Sequence, residues 1–164
     1  MSAQLVRLID GLNKATEIAC VTLLSLLVTV AAMQVFYRYI LLQPLVWSEE
    51  AARYLLIWLS FAAAGLVLRE NGNPRVEIVA VFLSPRNRAI LDLAIRVITA
   101  AFLFVFVWVT WSVALRYVPF ASLGTGLSQA VPRIALPIGG ILMLVNIIPV
   151  MLEDYLRLVQ GEDR

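Results

Sequence analysis

The residues able to do chemistry in this chain are concentrated in one stretch, Trp47-Ser48-Glu49-Glu50-Ala51-Ala52-Arg53-Tyr54, preceded by Gln34-Val35-Phe36-Tyr37-Arg38-Tyr39 and Pro44-Leu45. If a helix opens at Pro44 or Leu45, Glu49 and Arg53 stand at i, i+4 and Glu50 and Arg53 at i, i+3, so one face carries carboxylates and a guanidinium. Adjacent acids raise the question of paired catalytic carboxylates. Neighbours on a helix point about 100° apart, so Glu49 and Glu50 do not face a common substrate atom, and no second acid lies at suitable spacing. The chain also lacks a glycine-rich phosphate loop, metal-ligand spacing and a nucleophile–base pair, and it reads as a non-enzyme. It has no histidine and one cysteine, Cys20, which removes the usual haem and zinc ligand and any intramolecular disulfide. The expectation is therefore no cofactor and no metal. Two readings of the cluster stand side by side. One is a docking or substrate-facing charge network at the outer membrane boundary. The other is an interfacial helix start anchored by Trp47, Tyr37, Tyr39 and Tyr54.

The elements that must position these residues follow from composition. Of 164 residues, 62% are hydrophobic and only 15% charged, with a mean hydropathy of +0.89. A water-soluble domain is about 45–50% apolar and about 25% charged, so a soluble globule is excluded. The net charge of +2 gives no reason to expect a nucleic-acid partner. Four runs carry no ionisable acid or base: Ile18 to Tyr37, Tyr54 to Leu68, Val97 to Leu115, and Ile134 to Leu152. Three of them hold 19 or 20 residues, close to the roughly 20 that cross about 30 Å of hydrocarbon. The second holds 15, so its helix must recruit the preceding turns containing Trp47, Glu49, Glu50 and Arg53, whose charges then lie near a membrane-helix end. The first run is too long for the apolar core of a signal peptide and reads as an uncleaved helix. The prediction is one all-α membrane domain with four transmembrane helices over about 15–39, 46–69, 90–116 and 134–153.

Orientation comes from the basic residues. Arg7, Lys14, Arg69, Arg75, Arg86, Arg88, Arg96, Arg157 and Arg164 fall on one side, against Arg38, Arg53, Arg116 and Arg133 on the other. The positive-inside rule then places both termini in the cytoplasm. In the middle loop, Asn71-Gly72-Asn73-Pro74 is a helix-ending turn. The apolar segment at about 75–83 is too short to cross and reads as a short amphipathic helix in the cytoplasmic interface. Ser84-Pro85 looks like an N-cap followed by a first-turn proline, opening a third helix of about 46 Å that must project beyond the headgroups or tilt.

Small residues mark packing faces: Thr22, Ser25, Thr29 and Ala32 on the first span, Ser60, Ala64 and Gly65 on the second, Gly139 and Gly140 on the fourth. They suit packing inside the bundle or against a second membrane protein. Gln34 and Asn146 suit cross-helix hydrogen bonding better than ion coordination. The loop from Arg116 to Arg133 is uncharged between those arginines and reads as irregular, either a contact surface or a connector.

The stretch from Gln34 through Tyr39, Pro44-Leu45, Trp47 to Tyr54 and Trp58 resembles the small membrane subunit, the DctQ family, of tripartite ATP-independent periplasmic (TRAP) transporters. The resemblance continues in the span number, the Arg-Val-Glu step at Arg75 to Glu77 and the Leu-Pro-Ile-Gly step at Leu136 to Gly139. One departure is that Asn73-Pro74 stands where such proteins often carry a histidine. The resemblance implies a non-catalytic brace for a large multi-span transport subunit in the bacterial inner membrane. It also implies a periplasmic substrate-binding protein and a sodium gradient that drives uptake of a small organic anion. Membrane lipid is the remaining partner. Arg38, Trp47, Glu49, Glu50, Arg53 and Tyr54, with Tyr37 and Trp58, are then the expected assembly or partner-interface residues. Two other classes stay open on the residues alone: a membrane anchor of a quinone-linked respiratory enzyme, and a self-sufficient small transporter or channel.

Overall fold

The computed structural model describes residues 3–69 and 85–160. The segment expected to form an interfacial helix, 75–83, and the Asn71–Pro74 turn lie outside the described residues. The described residues form four helices: α1 (Ala3–Tyr39), α2 (Ser48–Arg69), α3 (Pro85–Arg116) and α4 (Ala130–Gln160). Each contains a stretch long and apolar enough to cross a bilayer, namely Arg7–Tyr39, Ser48–Leu68, Ile90–Arg116 and Ala130–Leu152. This is the expected all-α membrane architecture. The second helix starts at Ser48 rather than Pro44 or Leu45, after a connection in which Leu42, a non-glycine residue, stands at φ 55°. With Pro85 at its first position, α3 runs unbroken for 32 residues, about 48 Å at 1.5 Å per residue.

The helices pack in the lateral order α1, α2, α4, α3, so α4 sits between α2 and α3. Its sequence fits that place. A Cβ on Gly139 would fall 2.8 Å from the Phe61 carbonyl oxygen of α2, and one on Gly140 would fall 2.6 Å from a Val107 methyl of α3. Facing these glycines, Phe61 and Phe106 stack with centroids 6.1 Å apart. Gly65 of α2 lies equally close to Leu142. The glycines thus let backbones approach where apolar attraction between helices in lipid is weak. Two prolines, Pro137 and Pro149, are carried inside α4.

The stripe on α1 has a different outcome. Thr22, Ser25, Thr29 and Ala32 are all exposed, and each hydroxyl is turned back onto a carbonyl four residues earlier. Packing inside this chain, the first of the two expected uses, is therefore not what these residues do. Cys20, Leu23, Leu27, Val30, Met33, Gln34 and Tyr37 are the partly covered positions instead, and their mostly three- and four-residue spacing makes a seam beside α2. Within this membrane stretch no residue of the most apolar window is fully buried.

At the end of the bundle that holds the chain termini, polar groups replace the glycines. Asn13 and Asn146 exchange two amide hydrogen bonds of 2.8 and 2.9 Å, and Asn146 also donates to the Gly65 carbonyl at 2.9 Å. Both amides are buried. One side chain thereby joins α4 to α1 and α2, the cross-helix role expected of Asn146.

Candidate functional site

The predicted cluster lies at the opposite end, where α1 turns into α2 and the α3–α4 loop returns. Ser48 is fully buried. Its hydroxyl donates to Leu45 O at 2.7 Å, which tightens the turn and sets the first helical residues. Glu50 follows in the first turn, and Tyr54 is one turn further along the same face.

Glu50 points into the α3–α4 loop. One carboxylate oxygen accepts from the hydroxyls of Tyr54 and Ser122. The other accepts from the backbone N–H groups of Gly124 at 3.1 Å and Thr125 at 3.0 Å. Four donors fill the roughly four lone-pair sites of an ionised carboxylate. Arg53, which spacing puts on the same helix face as Glu49 and Glu50, is exposed, as is Glu49. The i, i+3 guanidinium loses to the loop because a packed loop offers oriented, partly dehydrated donors, whereas an exposed salt bridge is worth little.

The loop itself is more ordered than an irregular connector. Ala121 and Ser128 form an antiparallel bridge. Ser122 N donates to Leu127 O and Gln129 N to Phe120 O, both at 2.8 Å. The turn closes through Gly126 at φ 71°, a conformation that suits glycine. Ser128 then caps α4, its hydroxyl accepting from Ala130 N at 3.2 Å. The Arg133 guanidinium carbon lies 3.7 Å from the Tyr117 ring centroid, a cation–π contact from the start of α4 to the residue that follows α3. Trp58 donates its indole N–H to Val131 O at 3.1 Å, tying α2 to the first turn of α4.

The structure therefore divides the eight predicted residues. Glu50, with Tyr54 bonded to its carboxylate, holds the loop against α2, and Trp58 ties α2 to the first turn of α4. Arg38, Trp47, Glu49 and Arg53 are exposed on the rim around it, with Arg38 5.7 Å from the Tyr39 ring centroid. Tyr37 is half-buried and meets Phe36 edge-on at 6.2 Å. Sequence reasoning missed Ser122, Gly124 and Thr125 as partners of Glu50, and Asn13 as the partner of Asn146. The one available signal for the loop was a run of hydroxyls and glycines with no charge of its own. The described residues bring no three His, Cys, Asp or Glu side chains together as a metal site. The chemistry of this site is that of a carboxylate fixing backbone.

Four helices able to span a membrane, with a carboxylate holding the α3–α4 loop, define a small integral membrane protein. The sequence matches the DctQ component of tripartite ATP-independent periplasmic transporters over residues 27–158. It is 30% identical over 152 residues to a protein of Haemophilus influenzae described as a TRAP transporter small permease protein, covering 92% of this chain and 94% of that one. It is also 24% identical over 133 residues to the sialic acid TRAP transporter small permease protein SiaQ of Vibrio cholerae, covering 81% of this chain and 77% of the relative. The chain belongs to the DctQ family and is a multi-pass small permease subunit of a TRAP transporter.

Proposed function

We propose that this subunit is a non-catalytic brace. It holds a large multi-span membrane subunit steady while that subunit moves a small organic anion across the bacterial inner membrane, driven by sodium and supplied by a periplasmic substrate-binding protein. The observation that carries this reading is the outward face of α1, where Thr22, Ser25, Thr29 and Ala32 are exposed although their spacing suits close helix packing. The name of the Vibrio relative specifies sialic acid, an organic acid, which agrees with an anionic cargo class. In this reading both termini are cytoplasmic, as the arginine and lysine asymmetry implies, and the Glu50 loop is periplasmic. The exposed Arg38, Trp47, Glu49 and Arg53 form the partner-facing rim, and Tyr37, Glu50, Tyr54 and Trp58 set its shape from behind.

The test is affinity purification of the tagged chain from membranes in mild detergent, followed by mass spectrometry of what survives a salt wash. A stoichiometric partner of many spans is the expected result. Recovery of a dehydrogenase subunit, or flux through the isolated chain in liposomes with no partner, overturns the brace.

A further inference from the structure

The four donors around Glu50 come from two different places in the chain. Tyr54 is on α2 beside it, whereas Ser122, Gly124 and Thr125 lie 72 to 75 residues on. The loop's contribution has the form of an anion receptor. Successive backbone N–H groups converge on one oxygen, a hydroxyl covers the other, and such concave runs of amides bind anions in general. Ser122 also accepts from Gly124 N at 3.3 Å, so the loop's own polar groups are already oriented toward one another. Gly124 is what opens the receptor, since a Cβ there would lie 2.5 Å from the Glu50 carboxylate oxygen. The Gly126 turn and the two bonds across Ser122–Leu127 and Phe120–Gln129 shape the backbone behind it without Glu50.

We infer that the segment Ser122–Thr125 is a preformed carboxylate-binding nest whose resident ligand is the Glu50 side chain, so that Glu50 acts as a positioning residue for the outer loop. Its apex, Leu123, is fully exposed, and the carboxylate determines where that apex is held. The nest recognises the carboxylate as such. A free carboxylate of similar size therefore fills it once the side chain is removed.

The test is hydrogen exchange at the Gly124 and Thr125 amides of the full chain in lipid nanodiscs. Glu50→Ala is expected to speed exchange at both amides by about tenfold or more, while amides near Asn146 keep their protection and report an intact bundle. Millimolar formate should restore protection in this variant, and formamide, its neutral counterpart, should not. Gly124→Ala keeps Glu50 but blocks its approach. It is expected to lose Thr125 protection in the same way and to be indifferent to formate, and it carries the test alone should Glu50→Ala fail to fold. Protection at wild-type level in either variant overturns the inference. So does failure of formate to restore protection in Glu50→Ala, or equal restoration by formamide.

Discussion

Asn146 supplies the bonds that join three helices near the chain termini, and its loss strands the Asn13 amide in a buried position as well. Buried between the helices, neither group finds water, and interhelical hydrogen bonds of this kind contribute about 0.6 to 1.7 kcal/mol. Asn146→Ala is expected to cost about 1–2 kcal/mol of bundle stability. Asn13→Ala and Asn146→Ala together should cost less than the sum of the two alone, and a double-mutant cycle read by unfolding in bicelles checks the coupling. On the loop side, Arg53 is the charge left over. Arg53→Glu is expected to lower recovery of the assembled transporter several-fold, more than the same reversal at exposed Lys14. Co-purification from matched membranes decides it, and equal recovery would remove Arg53 from the rim. Asn146 was legible in sequence because it interrupts an apolar run. Asn13 was not, because it sits among Asp10, Lys14 and Glu17 and looks like one more solvated residue. Glu50 was legible as a charge that needs a partner. The sequence neighbour Arg53 was the natural candidate, and only the return of a distant loop brings better donors.

Two helices have opposite relations to their surroundings, and each leads to its own prediction. α4 is the most enclosed, with Ala135 and Ile147 almost fully buried and Gly139 and Gly140 admitting neighbouring backbone and side chains. Gly139→Ala forces its Cβ against the Phe61 carbonyl, so α2 and α4 must separate. The expected cost is about 1–3 kcal/mol, measurable as a lower unfolding midpoint, whereas Ile138→Ala on the exposed side should cost less. α1 is the most open. Thr22→Leu combined with Thr29→Leu should leave the isolated chain folded but reduce capture of the large subunit about tenfold, equivalent to about 1.4 kcal/mol. Phe104→Leu, on an exposed face of α3, serves as the control. Unchanged capture would move the interface off α1. Helix number was readable from the lengths of charge-free runs. The facing of α1 was not, because a stripe of small hydroxyl residues looks the same whether its partner is in this chain or another.

At the scale of the whole molecule, the bundle separates its means of attachment: amides near the termini, glycines through the middle, and a carboxylate at the loop end. That division accompanies the membrane, where backbone groups must pair internally and apolar contact alone does not select a neighbour. The proposed orientation gives a direct check. In a Cys20→Ser background, Leu123→Cys should be labelled by an impermeant maleimide from the periplasmic face of spheroplasts, and Lys14→Cys only after the membrane is opened. The reverse pattern would invert the topology.

Pro137 and Pro149 give α4 a property that packing does not describe. A proline offers no N–H to the carbonyl four residues before it, so the ladder lacks a rung at Arg133 and at Val145. Spectroscopically, α4 is then a chain of coupled amide oscillators with two weakly bonded members. Carbon-13 placed at those two carbonyls should give amide bands at higher frequency than the same label at Leu142.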